Sequence, residues 1–243
     1  MRKIVWFSCG AASAVAAKLV SHVEDCEIVY TEVVEEHPDN KRFLTDCERW
    51  FGKPIIILGN DDYNRSIYEV FRRTRFLVGR TGAPCTRLLK RKVREMYQRP
   101  DDTHVLGFTA EEADRLETFR EHFPDLKVEC PLIDKGLTKG DCLAMVEKAD
   151  IEIPVMYRLG YNNNNCVGCV KGKMGYWNKI RRDFPERFAQ MAAMEREIGH
   201  AINRQNGVPV FLDELSEDAG RDVPEPKIDC SILCLNAIHE YSG

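Results

Sequence analysis

The sequence has no apolar run approaching the about 18–20 residues that a membrane-spanning helix requires. It also lacks a phosphate-binding loop of the G-x-x-x-x-G-K-[ST] kind, because no lysine stands at the required place. No internal repeat is present, and the asparagine run Asn162–Asn165 is too short for a low-complexity region, so turn or cap duty is its expected use. A strong charge of either sign is missing too. The net charge is only −4, which excludes a polycation built to coat nucleic acid. A secretory leader is not expected either: Arg2 and Lys3 precede an apolar stretch, but Ser8, Gly10 and Ser13 interrupt it. The expectation is a cytoplasmic enzyme with no membrane partner.

What is present begins with an ordinary globular composition, 44% apolar and 30% charged. A chain of 243 residues suits one large domain or a domain with an appendage. The unusual number is ten cysteines: Cys9, Cys26, Cys47, Cys85, Cys130, Cys142, Cys166, Cys169, Cys230 and Cys234. Without a leader, metal or redox use replaces a disulfide framework as the expectation. Cys26, Cys47, Cys130 and Cys142 sit singly among apolar neighbours and read as small buried hydrophobes. Basic residues fall in three groups: Arg72, Arg73 and Arg75; Arg87 to Arg94; and Lys171 to Arg182. Each is either a solvated helix face or a phosphate contact.

Lys3–Phe7, Cys26–Val34, Pro54–Leu58, His104–Phe108 and Lys127–Cys130 read as strands. Ala14–Val23, Lys41–Phe51, Tyr63–Arg75, Thr86–Gln98 and Ala110–His122 read as helices. This alternation predicts an α/β fold with a mainly parallel five-stranded sheet and helices on both faces. Ligands of such sheets bind beyond the carboxyl ends of the strands. Ser8–Ser13, Glu32–Asn40 and Phe108–Asp114 are the loops expected there. Past Thr138 the character changes: a helix over Lys139–Ala149, a break at Pro154, then Cys166-Val167-Gly168-Cys169. Helices over Gly175–Phe184 and Pro185–Asn203 and an acidic loop or tail over Leu212–Pro226 follow. The expected division is a nucleotide-binding domain over 1–155, with a helical cysteine-bearing region and tail over 156–243 packed on it.

Two motifs carry chemistry. Ser8-Cys9-Gly10-Ala11-Ala12-Ser13, between a strand and a helix, brings small residues and two hydroxyls to a helix N-terminus. Backbone N–H groups there can approach an anion. Cys166-x-x-Cys169 lets two thiolates reach one metal. Cys85, at a helix start near Arg87 and Lys90, can supply a third. Cys230 or Cys234 can supply a fourth. By spacing alone, zinc and an iron–sulfur cluster both remain open.

Together these motifs resemble the phosphoadenosine phosphosulfate (PAPS) reductase-like family of the PP-loop, adenine nucleotide alpha hydrolase-like superfamily. Ser8–Ser13 is similar to its PP-loop. Pro84-Cys85-Thr86-x-x-Leu89-Lys90 resembles the cysteine-then-basic helix of adenylyl-sulfate reductases, and Cys166-x-x-Cys169 their later cysteine pair. The resemblance covers about residues 1–185. It implies a Rossmann-like fold and an adenine nucleotide bound at Ser8–Ser13, with contacts from Glu32 and Lys90. It also implies a [4Fe–4S] cluster beside the nucleotide, held by Cys85, Cys166 and Cys169.

The sequence departs from the family in three places. Pro84 stands where relatives carry a second adjacent cysteine. Cys9 and Ala12 replace a glycine and an acid of S-G-G-x-D-S, so Mg2+, if ATP is the nucleotide, must rest on groups such as Glu32, Glu111 or Asp114. Asp229-Cys230-Ser231 matches the terminal E-C-G-x-H only loosely. The reading taken forward is reduction of APS or PAPS by a tail thiolate, Cys230 or Cys234, with a thioredoxin-like electron donor. Its alternatives are an ATP-dependent, AMP-forming sulfurtransferase acting on a nucleobase in nucleic acid or another acceptor, and a nucleotide-binding redox sensor without turnover.

Overall fold

The computed structural model describes residues 1–79, 82–225 and 228. Chain order begins β1 (Lys3–Phe7), α1 (Ala11–Val20), β2 (Cys26–Thr31), α2 (Asn40–Phe51) and β3 (Ile55–Leu58). Next come α3 (Ile67–Thr74), a π-helical segment over Thr86–Arg91, α4 (Lys92–Tyr97), β4 (Thr103–Val105), α5 (Ala113–His122) and β5 (Lys127–Glu129). The rest comprises α6 (Pro131–Asp134), α7 (Lys139–Lys148), α8 (Val155–Arg158), α9 (Met174–Asp183), α10 (Pro185–Ile198), β6 (Asn203–Gln205) and β7 (Val208–Val210).

The fold is α/β, as the alternation predicts. Five strands pair in the order β3-β2-β1-β4-β5, and every pairing is parallel. Val5 of β1 lies beside Ile28 of β2 and Val105 of β4. Ile4, Val5, Trp6 and Phe7 are all buried, the continuous apolar run expected of a parallel strand flanked by helices. Small residues let α1 approach β1 and α7 closely: Ala14, Val15, Ala16 and Ala17 are completely buried. Cys26, Cys47 and Cys142 belong to this core, and Cys130 is buried as well. Burial pushes the Cys130 thiol up to about 12 and Cys142 up to about 11, so both are inert at neutral pH.

Contacts divide the chain into two compact units. The first holds the whole sheet and comprises Met1–Glu32, His37–Gly59 and Val93–Asn164. The second comprises Val33–Glu36, Asn60–Lys92 and the described residues from Asn165 on. In the second unit, the Glu35 carboxylate accepts from Ser66 Oγ at 2.6 Å and from the Ile67 N–H at 2.9 Å, which caps the start of α3. Arg181 of α9 donates to the carbonyls of Leu212 and Leu215, and Asn178 to those of Ser216 and Ala219. These bonds fasten the acidic segment after residue 211 to α9.

Several boundaries differ from the sequence reading. The strand expected over His104–Phe108 stops at Val105, and the helix expected over Pro185–Asn203 stops at Ile198. There the Gly199 N–H bonds to the Glu195 carbonyl, and a hairpin of β6 and β7 follows that hydrophobic periodicity did not reveal. Among the described residues, no helix is long and apolar enough to cross a membrane.

Candidate functional site

Strand order reverses at β1: β2 and β3 lie on one side, β4 and β5 on the other. Parallel sheets bind ligands in the crevice at this switch point, outside the carboxyl ends of the two central strands. The Ser8–Ser13 loop leaves β1 there, and Leu106–Thr109 leaves β4. The two loops touch at Gly107. A Cβ on Gly107 would stand 2.7 Å from Ser13 Cα and 2.8 Å from Ser13 N, so only glycine fits beside this turn of backbone.

Inside the loop, Cys9 has φ +60, the left-handed conformation that glycine adopts without strain. Its side chain is completely buried, with Sγ directed at the Asn40 carbonyl 3.6 Å away, so the Cys9 backbone rather than its thiol faces the loop. Ser13 was expected to offer its hydroxyl to a ligand. Instead Ser13 Oγ accepts the Ser8 N–H at 3.1 Å and lies 3.0 Å from the Gly10 carbonyl and 3.1 Å from Ser8 Oγ. It shapes the loop, and the exposed Ser8 carries the accessible hydroxyl. Helix geometry leaves the N–H groups of Ala11, Ala12 and Ser13 without an intrahelical acceptor. No side chain caps Gly10, and no acid stands in the first turn of α1, so its positive end is not neutralised locally.

Two residues from far along the chain complete this region. The Tyr157 hydroxyl of α8 lies against the loop, where a Cβ on Gly10 would stand 2.9 Å from it. Asn164 is 5% exposed, and its Nδ2 donates to the Cys9 carbonyl at 2.7 Å and to Asn40 Oδ1 at 2.8 Å. Neither residue has a motif spacing that marks it in the sequence. Lys139 Nζ lies 5.5 Å from the centre of the Tyr157 ring and also donates to the Asn162 carbonyl.

The acids expected to handle Mg2+ are partly engaged. Thr109 and the Lys139 N–H bond Glu111 and hold its carboxyl below the usual range. Glu112 closes a capping box with Thr109 and pairs with Arg115 at 2.6 Å. Glu32 is half-buried just past β2, its N–H bonded to the Leu58 carbonyl. His37 Nδ1 accepts the Asp39 N–H, a loop-forming bond.

The metal-ligand candidates Cys85, Cys166 and Cys169 all belong to the second unit and are buried. Gly168 has φ +81, which turns the chain between the paired cysteines. Tyr176 organises this turn: its hydroxyl accepts from the N–H groups of Gly168 at 3.1 Å and Cys169 at 3.0 Å and lies 3.4 Å from the Cys166 carbonyl. The Trp177 indole beside it is completely buried, so this pair of aromatics is packing. Cys85 precedes the π-helical Thr86–Arg91, a rare geometry often found at functional positions. Lys90 of that segment is not an open phosphate ligand. It is buried, with Nζ 3.1 Å from the buried carboxylate of Glu36. Thiol chemistry suits a thiophilic metal. Among the described residues, no group of three His, Cys, Asp or Glu side chains that could hold a metal ion is found. No disulfide joins any two described cysteines. Cys230 and Cys234 lie outside the described residues.

Compared with models of known protein families, the chain matches none. A comparison with curated proteins likewise returns no match.

Proposed function

We propose that this chain binds an adenine nucleotide at the Ser8–Ser13 loop and reduces APS or PAPS to sulfite, releasing AMP or its 3′-phosphate, in the cytoplasm. The observation that best supports nucleotide binding is the contact of Gly107 with the first turn of α1 at the switch point of the sheet. The sulfur chemistry rests on the resemblance carried by the cysteine motifs. The basic group from Lys171 to Arg182 gives little support to a nucleic-acid acceptor, since Arg181 is bonded to carbonyls and Arg182 to Asp183.

In the proposed step, the N–H groups of α1 and the Ser8 hydroxyl hold the nucleotide phosphate and stabilise the charge it gains as a leaving group. A tail thiolate, Cys230 or Cys234, attacks the sulfate sulfur. An S–S bond forms as the S–O bond breaks, and AMP leaves with the electron pair. A dithiol donor of thioredoxin type then attacks the cysteine sulfur, and sulfite departs with the S–S pair. The second donor thiol closes a disulfide and frees the enzyme. The dithiol loses two electrons, and the sulfate sulfur gains them.

With APS or PAPS and a reduced dithiol, sulfite is the expected product, and Cys230→Ser or Cys234→Ser should stop its release. AMP and pyrophosphate from ATP, with no sulfite, would instead establish adenylyl transfer. No step above runs through a metal, and the proposed cluster is tested separately. Protein purified without oxygen should contain about four iron and four acid-labile sulfide per chain if Cys85, Cys166 and Cys169 hold the cluster. Zinc without sulfide, or neither metal, removes the cluster and leaves the nucleotide reading standing.

A further inference from the structure

We propose that Cys230 is a metal ligand, its thiolate joining those of Cys166 and Cys169 on one thiophilic metal centre. This inference rests on the metal reading of the Cys166–Cys169 turn and is independent of the nucleotide reading. It divides the roles of the two tail cysteines and leaves Cys234 as the attacking thiolate of the proposed reduction.

The turn presents two sulfurs together. Four residues carry both cysteines, and Gly168 reverses the chain between them at φ +81. The Tyr176 hydroxyl holds the N–H groups of Gly168 and Cys169, and both cysteine side chains are buried. Two thiolates are too few on their own. Zinc takes four ligands in a closed site, and iron–sulfur clusters use three or four cysteines, so the pair calls for further ligands.

The path of the acidic segment says where one comes from. It descends a single face of α9, three residues at a time. Arg181 donates to the carbonyls of Leu212 and Leu215, and Asn178 to those of Ser216 and Ala219. One turn further, the backbones of Gly175 and Gly220 touch, and a Cβ on either would overlap atoms of the other. Residues three apart share a helix face, so positions 181, 178 and 175 mark a track toward the start of α9. That is the end of the helix from which Tyr176 reaches the cysteine turn. The track continues. Past Glu225 the chain meets Asn165, whose Nδ2 donates to the carbonyl of the buried Ile228 at 3.2 Å. Asn165 is the residue immediately before Cys166.

Covalent geometry then separates the two tail cysteines. Two residues of chain span at most about 7 Å, and six about 20 Å. Cys230 lies outside the described residues, but its Cα is tied within about 7 Å of that of Ile228, at the foot of the turn. Cys234, four residues further on, is not confined in this way.

The test uses the full chain, freed of metal without oxygen and titrated with Co2+, whose thiolate charge-transfer absorption reports sulfur ligands. Cys230→Ser should lose about a quarter to a third of that absorption, one thiolate of the three or four in a tetrahedral site. It should also bind Co2+ about tenfold or more weakly, whereas Cys234→Ser should match wild type in both respects. Native metal, zinc or iron with acid-labile sulfide, should fall likewise in Cys230→Ser as isolated, and its identity separates those two. Unchanged Co2+ binding by Cys230→Ser would overturn the assignment, as would equal losses in both tail variants. If wild type binds no Co2+, or if Cys166→Ser leaves binding intact, the metal reading itself fails and the nucleotide reading is untouched. Cys230→His guards against a folding defect, because imidazole is also a metal ligand. It should restore affinity while the sulfur absorption stays at the level of Cys230→Ser. Failure of Cys230→His to bind better than Cys230→Ser would count against the proposal.

Discussion

Gly107→Ala should weaken adenine-nucleotide binding at least tenfold while the sheet remains folded. The added methyl would sit 2.7 Å from Ser13 Cα, 2.8 Å from Ser13 N and 3.1 Å from the Ala12 carbonyl carbon. All three are backbone atoms of the first turn of α1, so no side-chain rotation can relieve the overlap. The helix cannot simply back away, because its buried alanines are packed against β1 and α7. Overpacking of this kind costs about 1–3 kcal/mol, enough to lower the melting temperature by several degrees. The larger consequence is local. Turning the N–H groups of Ala12 and Ser13 by even about 1 Å misdirects donors whose alignment is their whole contribution to anion binding. Calorimetric titration with AMP and a melting curve separate the two effects. An alanine variant with wild-type affinity and stability would show that the loops part without consequence, and would remove Gly107 from the site.

The contrast between Gly107 and the Ser8–Ser13 loop shows what the sequence discloses and what it does not. The loop is legible because strand, small residues and helix are consecutive, and local chemistry dictates the turn. Gly107 meets Ser13 only because β1 and β4 are neighbours in the sheet, a tertiary fact that no spacing reports. The same reason hides Asn164, which reaches the Cys9 carbonyl from beyond α7. Lys90 illustrates the converse. Its place in a basic helix suggests a phosphate ligand, but charge runs do not reveal partners, and Glu36 engages the ammonium group. Burial of Cys26, Cys47, Cys130 and Cys142 was legible from their apolar neighbours, whereas the support that Tyr176 gives to Cys166–Cys169 depends on the φ of Gly168 and the start of α9.

Two buried groups should give variants of opposite pH dependence. His104 of β4 is 1% exposed, and its Nδ1 accepts the Trp6 indole N–H at 2.9 Å. Burial, assisted by Arg94, lowers its pKa from 6.5 to about 4. The unfolded chain therefore binds more protons between those values, and His104 makes stability fall as pH drops from about 6.5 to 4. Glu195 of α10 is completely buried and accepts the N–H groups of Ile202 and Leu212. Burial outweighs those bonds and raises its pKa from 4.5 to about 7. Here the folded chain binds the extra proton, so Glu195 makes stability fall as pH rises from about 4.5 to 7. Each effect is on the order of 3 kcal/mol across its window, and where the windows overlap they offset each other in a single cooperative transition. His104→Gln should expose the Glu195 slope, with stability decreasing toward pH 7. Glu195→Gln should expose the His104 slope, with stability decreasing toward pH 4, on top of about 1–3 kcal/mol lost at every pH because one buried N–H loses its acceptor. Urea melts of both variants at intervals from pH 4 to 7.5 measure the slopes directly. Should the two units melt separately, each slope belongs to its own transition, His104 to the first unit and Glu195 to the second. Parallel profiles for the two variants would mean that neither group changes its proton binding on folding as the burial of its ring or carboxyl requires.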